Sequence, residues 1–69
     1  MRLSARNIIK GKILEVKRGA ITAHVKIDVG GGTVITSSIT NEAVDELGLK
    51  VGDPAYAVIK ASDVMVARD

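Results

Sequence analysis

Cysteine is absent from this sequence, and histidine occurs only once, at His24. Disulfide bonds and thiolate zinc sites are therefore excluded, and a single imidazole cannot form a cluster of metal ligands. The same shortage leaves no Cys–His or Ser–His–Asp set for nucleophilic catalysis. We expect a protein that is not an enzyme, needs no cofactor and holds no metal by direct side-chain coordination.

Aromatic residues are almost as scarce, since Tyr56 is the only one and neither Phe nor Trp occurs. Proteins that bind single-stranded nucleic acid stack the bases on exposed aromatic rings. Duplex binders carry a strong positive charge, whereas the net charge here is only +2. We therefore expect no nucleic-acid partner, and a single-strand-binding module remains an alternative that gel shifts would test.

Long hydrophobic runs are missing as well. No apolar stretch is long enough to span a membrane, and residues 1–4 lack the apolar core of a secretory signal peptide. The absence of cysteine also fits a reducing compartment. We expect a cytoplasmic protein without membrane contact, built as one domain over residues 1–69.

Aliphatic residues, in contrast, are abundant. Hydrophobic residues make up 46% of the chain, and almost none of them is aromatic. A domain of this size buries only about 60% of the surface that its unfolded chain exposes. Without disulfides or a structural metal, the remaining source of stability is a second copy that covers the leftover apolar surface. The composition therefore predicts a homo-oligomer.

Three strands are predicted in the first part of the chain. In residues 21–29 apolar residues alternate strictly with polar ones, which is typical of a strand with one buried face. Residues 7–17 are rich in β-branched side chains, and Gly11 within them predicts a bulge or a tight bend. Gly19 in the connecting turn is expected to supply a positive φ. The third strand covers residues 33–39.

The periodicity changes after the third strand. Thr40 is the predicted N-cap of a short helix that ends at Gly48, with Val44 and Leu47 facing a core. Two further strand-like runs close the chain, at residues 55–62 and 64–67. Three strands, a short helix and then further strands are the order of an OB fold, an all-β Greek-key barrel.

Two pairs of side chains are candidates for binding an anion. Ser4 and Arg6 place a hydroxyl and a guanidinium two residues apart, on one side of an extended segment. Lys60 and Ser62 repeat that spacing with an ammonium group. A frayed terminus and an ordinary surface lysine would explain the same residues, so the spacing alone leaves both interpretations open.

The start of the short helix is the third candidate. Its free N–H groups, from Asn41 to Ala43, and the Thr40 hydroxyl could together hold an oxyanion. A simple helix cap is the alternative. All three candidate places offer donors, which suits a small tetrahedral dianion that needs no bridging metal.

Two short motifs are specific, Ser-Ala-Arg-Asn near the start and Ile-Lys-x-x-Asp-Val-Met near the end. With several further segments of the chain, they resemble the molbindins, the Mop family of molybdate-binding proteins. The resemblance covers nearly the whole chain, in matching order and spacing, at residues 3–7, 10–13, 17–25, 35–40, 44–49 and 58–65.

The resemblance implies a five-stranded OB-like barrel that assembles as a homohexamer, a trimer of dimers. Members of the family bind molybdate, and often tungstate, in pockets between subunits and serve in storage and homeostasis of the oxyanion. By position, the family's binding residues correspond here to Ser4, Arg6, Thr40, Asn41, Ala43, Lys60 and Ser62. Some relatives have serine where Ala43 stands, so that any contact from this position is through the backbone.

The family also has a second kind of site near its threefold axis. Polar positions around residues 36–38 or in the turn at residues 17–20 are candidates for it. An oxyanion-sensing interaction domain remains a further alternative to storage, and a pull-down with and without molybdate would separate the two.

Overall fold

The computed structural model describes all 69 residues of the chain. Its elements are the strands β1 Asn7–Arg18, β2 Thr22–Gly30, β3 Thr33–Thr40 and β4 Pro54–Ile59, the helix α1 Asn41–Leu47 and a 3-10 turn at Ala61–Asp63. The first three strands and the helix are confirmed, and each of those strands begins and ends within one residue of its predicted limits.

The strands form one antiparallel sheet in the order β3-β2-β1-β4. After the helix, β4 returns to pair beside β1, which is the Greek-key order. The sheet has four strands where five were predicted, because residues 64–67 form no strand. A strand needs a neighbour for its backbone groups, and in a single chain this segment has none. The barrel is therefore open, with β3 and β4 as its two free edges.

Strand β2 supplies half of the core, as its alternation predicts. The six buried residues are Ala23, Val25 and Ile27 from β2, with Ile13 of β1, Val44 of α1 and Ala57 of β4. Ile21, predicted on the same buried face, is instead 75% exposed because it lies in the turn before β2. A core of this size leaves much of the aliphatic content at the surface.

Helix α1 begins and ends as predicted. The Thr40 Oγ1 atom accepts a hydrogen bond from the Ala43 N–H at 3.0 Å, and Gly48 ends the helix with a φ of 61°. Val44 packs in the core, but Leu47 is 68% exposed, contrary to prediction. Leu47 is the last residue of a single short helix, and its side chain borders an open cleft. The structure contains no helix with the length and hydropathy needed to cross a membrane.

Two glycines are required by close backbone approach. A Cβ atom on Gly11 would lie 2.6 Å from the Asp28 carbonyl oxygen, so this glycine lets β2 pass close to β1. The predicted bulge lies further along, where the β1–β2 register shifts between Ile13 and Glu15. Gly19 does not have the positive φ that was predicted. A Cβ atom there would lie 2.8 Å from the Thr22 carbonyl oxygen, and this contact explains the glycine.

Candidate anion-binding site

Four of the predicted site residues gather at one end of the sheet, which we call the cationic end. Asn7 begins β1 and Ile59 ends β4, and the two residues are paired across the strands. The Asn7 Nδ2 atom also donates to the Ile59 carbonyl oxygen at 3.1 Å. The predicted donors flank this pair, Ser4 and Arg6 before Asn7 and Lys60 and Ser62 after Ile59. Antiparallel pairing therefore brings residues from both termini to one place.

The reason for this grouping differs from the predicted one. Strand β4 ends at Ile59, and Ser62 lies in the 3-10 turn Ala61–Asp63. The chain likewise bends at Ser4 and Arg6 before β1 begins. The alternation of a strand therefore does not place these residues, and their grouping follows from the pairing of Asn7 with Ile59.

The cationic end carries positive charge without partners inside the chain. Arg6 and Lys60 are exposed, and neither takes part in an ion pair. The two ion pairs of the chain lie elsewhere, at Arg18–Asp45 and at Lys26–Glu15. Asp63, in the turn after Lys60, offsets part of this charge, and the remaining excess of positive charge at the paired strand ends favours an anion.

The other three predicted residues lie at the opposite end of the sheet, which we call the helix-start end. Thr40 ends β3 and pairs with Thr22 at the start of β2, close to where β1 finishes. Strand β1 has 12 residues, and a strand extends by about 3.3 Å per residue. The two ends are therefore separated by far more than the width of a tetrahedral oxyanion. One chain cannot enclose the ion with donors from both ends.

Most donors at the helix-start end are already engaged. The Asn41 N–H donates to the Ile21 carbonyl oxygen at 2.8 Å, and the Asn41 Nδ2 atom donates to the Gly19 carbonyl oxygen at 3.0 Å. The Ala43 N–H donates to Thr40 Oγ1, so it would reach a ligand only by sharing, as three-centre bonds at helix ends do. The proton of the Thr40 hydroxyl remains available, because Thr40 Oγ1 is the acceptor in that bond.

The side-chain amide of Asn41 faces the protein. Its Oδ1 atom is buried and has no hydrogen-bond partner, a state that costs about 1–3 kcal/mol. A carbonyl oxygen cannot donate to an oxyanion, and the amide nitrogen is bound to Gly19. Sequence reasoning could not detect this arrangement, because Asn41 and Gly19 are 22 positions apart.

An apolar cleft separates the free edges of β3 and β4. Its larger part, about 480 Å³, is lined mostly by aliphatic side chains such as Ile27, Ile39 and Val58. A second part of about 290 Å³ runs between Ile35 and Ile59 of the same two strands. Met65 and Val66, beyond β4, are 94% and 92% exposed. The single chain thus has both an unfilled apolar cleft and an uncovered apolar segment.

The β1–β2 turn borders a separate polar hollow of about 210 Å³. Its lining consists of Lys17, Arg18, Gly19, Thr22 and His24. His24 pairs with Lys17 on one side and with Ser38 on the other, so the two segments considered for a second site meet across this histidine. No group of three His, Cys, Asp or Glu side chains is placed to hold a metal ion.

Known proteins are similar to this chain in both sequence and fold. Residues 3–66 match the family model of the TOBE domain. A probable molybdenum-pterin-binding protein of Haemophilus influenzae is 52% identical over 66 residues, which are 96% of this chain and 96% of that protein. The structure of MopII from Clostridium pasteurianum has a TM-score of 0.90 at 45% identity, over 97% of this chain and 100% of the other.

A further solved structure is that of ModG, described as a cytoplasmic molybdate-binding protein, with molybdate bound. It has a TM-score of 0.89 at 55% identity over 94% of this chain, which corresponds to 46% of the ModG chain. The Greek-key sheet and the matched model thus define a TOBE-domain protein. Within that class, the chain belongs to the molbindins, the Mop family of molybdate-binding proteins.

Proposed function

We propose that this protein binds molybdate reversibly, without chemical change, and stores it in the cytoplasm. The observation that carries the proposal is the cationic end, where Arg6 and Lys60 lie without ion pairs at the paired ends of two strands. The relatives support it, because one is described as molybdenum-pterin-binding and ModG as a cytoplasmic molybdate-binding protein. Tungstate, a tetrahedral dianion of the same charge, is a second expected ligand.

The two charged groups of the proposed pocket are hydrogen-bond donors only. Arg6 and Lys60 supply charge-assisted hydrogen bonds, which are roughly twice as strong as neutral ones. The hydroxyls of Ser4, Ser62 and Thr40 complete the cage. Phosphate near neutral pH carries a proton, and a hydroxyl that accepts a hydrogen bond from it no longer points its own proton at the ion, which loses about 0.5–1.5 kcal/mol. Molybdate brings no proton, so it is preferred.

The pocket forms between copies of the chain. Its charged donors and Thr40 lie at opposite ends of one sheet, so the cationic end of one copy meets the helix-start end of another. We propose the hexamer of the family, a trimer of dimers. Within this assembly Asn41 and Ala43 contribute mainly by fixing Thr40, since their own donors are engaged.

Residues 64–67 supply the missing strand to a neighbouring copy in this proposal. The segment is apolar and exposed, and the cleft between β3 and β4 is apolar, with an unpaired strand edge on either side. Inserting the segment of one chain into the cleft of another would pair both edges and close a five-stranded barrel. The leftover apolar surface of each copy would be covered at the same time.

Native mass spectrometry with added molybdate tests the proposal, because it reports subunits and bound ions together. We expect hexamers that retain molybdate, and isothermal titration with phosphate should show weaker binding than with molybdate. A variant that ends at Asp63 should not assemble and should lose binding. A wild-type protein that remains a single chain and gives no heat with molybdate would contradict the proposal.

A further inference from the structure

Asn41 makes more contacts than the start of a helix requires. It is the first residue of α1, directly after the N-cap Thr40, where asparagine is accepted more readily than inside a helix. In the single chain its Oδ1 atom is buried without a partner. The interaction that offsets this disadvantage is the hydrogen bond from Nδ2 to the Gly19 carbonyl oxygen, 3.0 Å long.

Asn41 therefore fastens the junction of β3 and α1 to the β1–β2 turn. Asn41 donates two hydrogen bonds to this turn, from its N–H to the Ile21 carbonyl oxygen and from its side chain to the Gly19 carbonyl oxygen. The helix cannot fix the junction alone, because seven residues are too few for a helix to be stable by itself and only Val44 is buried. The orientation of Thr40, the adjacent residue, thus depends on Asn41.

We infer that Asn41 is a positioning residue of the molybdate pocket and acts through the Thr40 hydroxyl. The inference rests on the proposed function. Thr40 Oγ1 accepts from the Ala43 N–H, so the hydroxyl proton is not used in that bond and can be donated to a ligand beyond the sheet end. Without the two bonds of Asn41 the junction samples other orientations, and only a fraction of them direct this proton at the ion.

A double-mutant cycle on the assembled protein tests the inference, with molybdate affinity measured by isothermal titration. In the wild-type background, Asn41→Ala should weaken binding about fivefold, because the competent orientation is less populated. In a Thr40→Val background the same substitution should change affinity by less than about twofold, because the group that it positions is gone. A purely structural role of Asn41 would give the same loss in both backgrounds.

Val44→Ala is the matched control, since it loosens the same helix from the core without touching the junction. It should lower the melting temperature more than Asn41→Ala while changing molybdate affinity less. An Asn41→Ala effect that persists unchanged with Thr40→Val, or an affinity that simply follows melting temperature across all variants, overturns the inference. If Asn41→Ala does not fold, Asn41→Ser enters the same cycle. Failure of the wild type to bind molybdate overturns the proposed function instead.

Discussion

The two ends of the sheet contribute to one proposed pocket but are built in opposite ways. At the cationic end, Arg6 and Lys60 are exposed and lack ion-pair partners, so they offer charge without fixed geometry. At the helix-start end, Thr40 and Asn41 carry no charge but are held by hydrogen bonds of 2.8–3.0 Å. The difference suggests that attraction of the ion and orientation of a donor toward it are assigned to different residues. In the proposed pocket, the cationic end attracts the dianion and the helix-start end directs a hydroxyl at it.

The division also links binding to assembly. Because one chain cannot bring its two ends together, the proposed pocket has its complete set of donors only where two copies meet. A ligand that binds only the assembled form stabilises that form by mass action. Substitutions at the cationic end should therefore affect affinity most, and substitutions that loosen the helix-start end should affect it less.

The largest effect is expected for Arg6→Ala. Loss of a guanidinium that faces a desolvated dianion should weaken molybdate binding by about 100-fold or more. The barrel should remain folded, because Arg6 is exposed and makes no ion pair. Isothermal titration gives the affinity, and thermal unfolding monitored by circular dichroism checks the fold.

Arg2→Ala is the matched control for this experiment. Arg2 has the same charge and lies in the same exposed N-terminal segment, but it is outside the proposed pocket. Its removal should change the affinity by less than about threefold, the size expected for a screened surface charge. Equal losses from the two substitutions would mean that general attraction, and not a pocket, binds the ion.

An intermediate effect is expected for Thr40→Val. The substitution removes the helix cap, at a cost of about 1 kcal/mol in stability, and the hydroxyl donor, at a cost of about tenfold in molybdate affinity. Thr40→Ser keeps both groups and should bind nearly as well as the wild type. Thr33→Val, at an exposed threonine on the same strand, is the control. Wild-type affinity in Thr40→Val would remove Thr40 from the pocket.

Local patterns predicted most of the fold. The alternation in β2, the Thr40 cap and the Gly48 stop depend on neighbouring residues, and the structure confirms all three. The misplaced residues share one feature. Leu47 and residues 64–67 are apolar and were assigned to a core or a strand, but both are exposed in the single chain. Periodicity indicates that a segment will be buried, and it does not indicate which chain covers it.

The candidate site could be predicted as a set of residues but not as an arrangement. Donor chemistry and spacing, together with the family resemblance, pointed to Arg6, Thr40 and Lys60. Their distribution between two ends depends on contacts between distant positions, such as the bond from Asn7 to Ile59 across 52 positions. The hydrogen bond from the Asn41 side chain to Gly19 also joins distant positions. No local pattern in the sequence indicates that these two residues lie side by side.

The smallest effect is expected for Arg18→Ala, which removes the ion pair between the β1–β2 turn and α1. The Arg18–Asp45 pair is short, at 2.6 Å, but its side chains are 48% and 67% exposed, and exposed pairs contribute about 0.2–1 kcal/mol. If hydrogen bonds of Asn41 hold the helix-start end, molybdate affinity should change by less than about twofold. Lys26→Ala, which breaks the other exposed pair in the middle of the sheet, should have an equally small effect on melting temperature. A loss of affinity with Arg18→Ala as large as that with Asn41→Ala would show that the ion pair, and not the amide of Asn41, fixes the helix-start end. The contrast between a charged end and a hydrogen-bonded end would then fail.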